Sequence, residues 1–264
     1  MPSALSLDSI LKRDRAFIAA GLVAISVLAW VDMVLMARGL PCAACLGMAM
    51  EMATPHLQPW TAGYFTMMFV MWAEMMVAMM VPTVAPMVLL FATVNRQRRA
   101  AHQPFVPTAV FLLGYVVVWT VFSLAATLAQ WGLHDAALLS PALTSTSNAL
   151  SGVVLIAAGA FQWTPWKNAC LKHCRSPLSF LMTEWREGRW GAFVMGVRSG
   201  NFCLGCCWLL MLLLFVAGVM NLLWIALITA FVLAEKIAPG PKWITRAAGL
   251  GMVVWGVWLI ASAK

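Results

Sequence analysis

An all-α, polytopic membrane protein is the fold class this chain predicts, and three observations predict it. Of its 264 residues, 63% are hydrophobic and only 10% are charged, against about 25% charged in soluble domains. The apolar residues fall in stretches of the length that spans a bilayer, about 20 residues. No stretch alternates apolar and polar as a barrel strand does, so the spanning elements are helices.

Residues 1–15, with Lys12, Arg13 and Arg15, read as a cytoplasmic N-terminal segment. The apolar run that follows is too long for a signal-peptide core and has no small-residue cleavage site, so no cleavable leader is expected. Spans are expected near 16–36, 61–90, 105–130, 147–163, 192–218, 220–235 and 247–262, seven helices in one membrane domain covering 1–264. Pro82 and Pro86 are expected to kink or end the second helix. The 192–235 stretch is too long for one crossing. Asn221, the only strongly polar residue between Cys207 and Thr229, marks a tight hairpin there.

Two connections carry chemistry-bearing residues. Residues 37–60 form an outer loop rich in Cys and Met. Residues 164–190 form a cytoplasmic segment, first with Cys and His, then with Glu184, Arg186, Glu187 and Arg189 among Phe180, Leu181, Trp185 and Trp190. That second part reads as an amphipathic piece on the inner surface.

Lys and Arg set the orientation. With the N-terminus inside, all of the 17 Lys and Arg except Arg38 and Lys264 fall at the inner face. The expected location is therefore the cytoplasmic (inner) membrane, multi-pass, N-in and C-out. The net charge of +8 is explained by these flanks and implies no nucleic-acid partner; the lipid bilayer is the partner.

Five of the 7 cysteines gather at one apolar segment. Cys203, Cys206 and Cys207 stand at i, i+3 and i+4, one stripe of a helix. Cys170 and Cys174 stand one turn apart, with His173 between them. Soft thiolates select Cu(I), zinc or iron–sulfur clusters. The spacing lacks the paired CxxC of a zinc ribbon, so zinc fits less well than copper. The alternative is plain packing, since a free Cys is a small hydrophobe. Disulfides are not expected on the cytoplasmic side.

The outer loop offers Cys42 and Cys45, then Met48, Met50, Met52 and His56. Thioethers bind Cu(I) without losing a proton, whereas a CxxC on an oxidising face also makes a disulfide. In the second helix Met67, Met71, Glu74 and Met75 share one face. A methionine stripe alone is ordinary packing. Glu74 is different, because an acid within a span is costly unless paired or used. Asp32, beside Met33 and Met36, is the second such acid. With His56, His134 and the methionines, Met71, Met75, Met48, Met50 and Met52, these acids make a candidate copper set near the outer face, since Cu(II) takes N and O donors and Cu(I) takes sulfur. Alternatively, Asp32 and Glu74 pair with Arg38 or polar side chains and hold helices together.

Three stretches resemble one family, the polytopic proteins catalogued as predicted metal-binding integral membrane proteins. They are Trp72–Pro82 with Pro86; Phe161 and Gln162 through Lys167, Cys170, His173, Cys174 and Pro177; and Gly191 through Cys203-Leu-Gly-Cys206-Cys207-Trp208, Met220-Asn221 and Glu235-Lys236. The resemblance covers roughly residues 60–255. It implies a metal-binding membrane protein and a small soluble protein partner; it supplies no reaction. Glu74 and the Cys42/Cys45 loop depart from the shared pattern.

Three functions follow. The first is a subunit of a copper-dependent oxidoreductase of monooxygenase type, with Asp32 and Glu74 as catalytic groups. Its lipophilic substrate would sit among the 14 tryptophans and 19 methionines. No haem, flavin or nucleotide motif is present, so electrons would come from a partner or small reductant. The second is copper handling or delivery at the membrane, and the third is thiol redox exchange through Cys42 and Cys45. The intramembrane carboxylates favour the first.

Overall fold

A computed structural model describes residues 4–38, 60–100, 106–138, 145–237 and 242–262. Among these are nine helices: α1 Ala4–Ala37, α2 Ala62–Ala100, α3 Thr108–Asp135, α4 Asn148–Phe161, α5 Pro165–Arg175, α6 Pro177–Glu184, α7 Gly188–Ala217, α8 Leu222–Ile237 and α9 Lys242–Ala261. The chain is an all-helical polytopic protein. Among the described residues five helices are long and apolar enough to cross a membrane: Arg15–Ala37, Ala62–Arg98, Thr108–Asp135, Gly188–Ala217 and Trp243–Ala261. Each of the seven expected spans is occupied by a helix, but α4 has 14 residues and α8 has 16, short of a full crossing of about 20.

Local chemistry sets the boundaries. Ser147 caps α4 by accepting from the Leu150 amide at 3.2 Å. Thr164 caps α5, with Pro165 in its first turn, where the missing N–H costs nothing. The expected hairpin is present. Helix α7 stops at Gly218, whose φ of 96° suits a residue without Cβ. Asn221 then accepts from the Trp224 amide at 3.4 Å, opening α8.

The prolines of α2 do not end it; the helix runs on to Ala100. Pro82 has no N–H for the Ala78 carbonyl one turn back. Trp30 of α1 supplies one instead, its Nε1 donating to Ala78 O at 3.2 Å. In a membrane a neighbouring helix must satisfy such a carbonyl, because lipid cannot.

Helix α2 is central, against α1, α3, α6 and α8, while α3 packs on α7 and α4 on α9. Its methionines Met67, Met68, Met71, Met75, Met76, Met79 and Met80 are all buried with Trp72, so most of the stripe is core packing. Glycine permits the closest crossings. A Cβ on Gly152 would lie 2.6 Å from Gly256 O, and one on Gly256 would lie 2.6 Å from Gly152 O. Gly114 and Gly196 meet the facing backbones of α7 and α3 in the same way. Small residues are what close helix contacts in lipid require, since hydrophobic burial cannot drive them together there.

The end of the bundle where α1 begins carries the charge. Arg98 pairs with Glu187 at 2.5 Å and lies over Trp185, 4.9 Å from the ring. Arg198 pairs with Glu184. Trp163, Trp166, Trp190 and Trp243 are exposed nearby in the chain, in the manner of an interfacial aromatic belt.

Candidate functional site

Helix α7 carries Cys203, Cys206 and Cys207 into the interior, each 2% exposed or less. The Sγ atoms of Cys206 and Cys207 donate to the Cys203 carbonyl at 3.0 and 2.9 Å, one turn back along the helix. Helix α5 lies across α7 and brings Cys170 and Cys174, both half-buried; all five are free thiols. Gly205 allows this approach, because a Cβ there would lie 2.8 Å from Cys170 Sγ. Cys174 donates to Cys206, which holds the Cys174 thiol well above its usual range, with burial adding to the effect. Burial also pushes the Cys170 thiol up. His173 points away from the sulfurs: its ring stacks flat on Phe202, centroids 4.0 Å apart, and its Nδ1 lies 3.0 Å from Ala169 O.

Beside the sulfurs sits a lysine. Lys236, at the end of α8, is 8% exposed. Its Nζ donates to Thr83 Oγ1 of α2 at 2.8 Å and lies 2.8 Å from Cys203 Sγ. Tyr115 of α3 places its hydroxyl 3.0 Å from the same sulfur and 3.2 Å from Met80 O. Thr83, Met87, Tyr115, Cys174, Cys203 and Lys236 line a cavity of ≈ 20 Å³, room for one water or one ion. It lies where α2, α3, α5, α7 and α8 converge.

A second buried cation stands next to it. Lys167 donates to both oxygens of Glu235, each at 2.8 Å, and to Gln162 Oε1. Arg175 Nε donates to the Glu235 backbone carbonyl at 2.6 Å. In the sequence Lys167 and Lys236 stand out as topology markers and within the family resemblance, with no site role, and nothing singles out Thr83 or Tyr115. The available signal was an acid–base pair, Glu235-Lys236, closing an apolar helix.

The carboxylates lie elsewhere. Asp32 of α1 and Glu74 of α2 are within side-chain hydrogen-bond reach of each other, and Glu74 Oε2 is a buried atom with no hydrogen-bond partner. Glu74 and Thr83 are nine residues apart on α2, about 14 Å along the axis. Acids and thiols therefore form two separate sites. Met71 and Met75 are buried in the core. His134 packs edge-on against Trp60, centroids 5.9 Å apart. Trp60 precedes α2, so His134 stands well above Glu74, and the structure does not bring them together. His56, Met48, Met50 and Met52, with Cys42 and Cys45, fall outside the described residues.

Among the described residues no group of three or more His, Cys, Asp or Glu side chains is arranged to hold a metal ion. The chelation on offer is sulfur in pairs. That suits Cu(I), a soft monovalent ion that accepts two thiolates, better than zinc, which takes four ligands in a structural site.

A family model described as PpoB2, copper chaperone, matches residues 69–259. The match includes Glu74, the five inner cysteines and Lys236, and leaves out Asp32 and the 37–60 loop. No curated protein and no solved structure matches the chain.

Proposed function

The chain belongs to the PpoB2 copper chaperone family, and from that premise we propose that it handles copper at the membrane, holding Cu(I) in the sulfur cavity and passing it on. One observation carries the reading: two thiols from different helices, Cys174 and Cys203, line one small cavity of ≈ 20 Å³ together with Met87. Thiolate and thioether are the donors that select Cu(I). The family match favours copper handling over the oxygen-activating subunit, which no observation supports. Copper is here the cargo, and nothing in the cavity is asked to change its oxidation state.

Cu(I) would reach the cavity by exchange between neighbouring sulfurs. Cys170 and Cys174, half-buried on α5, are the accessible end of the series, and Cys203 is the buried end. The basic flanks support a cytoplasmic position for that end, where thiols stay reduced. A small soluble protein is the proposed partner in the exchange.

Anaerobic titration of the purified protein against a chromogenic Cu(I) chelator tests the reading. The wild type is expected to hold a single Cu(I), and Cys174→Ser and Cys203→Ser are each expected to lose it. Retention of Cu(I) by both variants would place the cargo elsewhere, and a wild type that takes none would end the copper reading.

A further inference from the structure

We propose that Lys236 is the buried counter-charge that makes the sulfur cavity selective for a monovalent soft cation. The inference rests on the copper-handling reading and adds a specificity-determining residue to it. Lys236 is not a ligand, because an ammonium has no lone pair to give.

The partners of Lys236 carry the argument. Its Nζ contacts one hydroxyl, Thr83 Oγ1, and one sulfur, Cys203 Sγ, each at 2.8 Å. The adjacent carboxylate is committed elsewhere, since both oxygens of Glu235 are bonded to Lys167 at 2.8 Å. Among the described residues no carboxylate pairs with Lys236. A buried ammonium without an anion is strongly disfavoured, so its charge is balanced within the cavity by sulfur.

Counting charge then selects the ion. Once an ion has displaced the thiol protons, two thiolates contribute −2 and Lys236 contributes +1, leaving −1. A monovalent Cu(I) or Ag(I) brings the cavity to zero. Zn(II) or Cd(II) leaves it at +1 in surroundings that screen charge poorly. The paired sulfurs also fall short of the four ligands zinc takes. Charge and ligand number therefore favour the same ion, and charge is the part that Lys236 controls.

The test compares wild type, Lys236→Met, Lys236→Arg and Thr83→Asp, each purified and titrated anaerobically with Cu(I), Ag(I) and Cd(II) in competition with chelators. Lys236→Met removes the positive charge. Thr83→Asp cancels it while leaving the lysine in place. Both are expected to weaken Cu(I) and Ag(I) by about tenfold or more and to strengthen Cd(II), so that the preference shifts by about a hundredfold. Lys236→Arg is expected to keep the wild-type preference. A merely structural lysine would weaken all three ions together and leave their ratio unmoved. An unchanged ratio in Lys236→Met, or in Thr83→Asp should the first not fold, overturns the inference while leaving copper handling intact. A wild type that binds no Cu(I) overturns the copper reading itself.

Discussion

Lys167 and Glu235 show what burial does to single residues. Their side chains are 1% and 5% exposed and meet at 2.8 Å. Such a pair contributes little net stability, because desolvation offsets the attraction, but removing one partner strands the other charge. Glu235→Gln is therefore expected to destabilise the protein by about 3–5 kcal/mol. Lys167→Met combined with Glu235→Leu should lie much closer to wild type. Thermal unfolding in detergent measures both, and equal losses in the two would remove the pair from the account. Gln162 and Arg175 also bind these residues. The pair thus ties α5 to α8 and keeps Glu235 from neutralising Lys236.

Elements meet through glycine and through borrowed hydrogen bonds. On α4 and α9, Gly152 faces Gly256, and Gly159 faces Gly249 two turns on. Gly256→Leu puts a side chain against the Gly152 carbonyl and is expected to cost about 1–3 kcal/mol by overpacking. Gly251→Leu, on the same helix with nothing within 4 Å of its Cβ position, should cost little. The difference in melting temperature between the two variants checks the seam; equal values would mean that α9 does not pack there. Helix α2 gives the complementary case. Its two prolines predict a kink or an end, and the helix continues, with Trp30 supplying the donor that Pro82 cannot give to Ala78. That tryptophan lies 48 residues away, so no local pattern announces it.

For the whole molecule, α4 and α9 run antiparallel, since Gly152 meets Gly256 and Gly159 meets Gly249, and the proposed arrangement puts the basic flanks on the inner side. Reporter fusions after Ser176 and after Lys264 are expected to report opposite sides, the first cytoplasmic and the second outside. The same side for both would overturn the seven-pass, N-in reading of the sequence. Hydropathy made the helices legible, because a bilayer demands apolar length and internally satisfied backbones, and both are written locally. The hairpin at Gly218 and Asn221 was legible for the same reason. The i, i+3, i+4 spacing of Cys203, Cys206 and Cys207 announced a shared stripe, and the chain alone thus determined a helical membrane protein with soft donors at one end. Only the tertiary structure decided which donors meet. It set Cys174 and Cys203 around one small cavity, put Lys236 against the sulfur, paired Asp32 with Glu74, and left His134 on Trp60. The physical reason is that charge balance and chelation depend on distances between helices. Those distances are set by glycine seams and side-chain volumes far apart in the chain, so the same cysteine stripe could have been packing or a site until α5 and α8 closed over it.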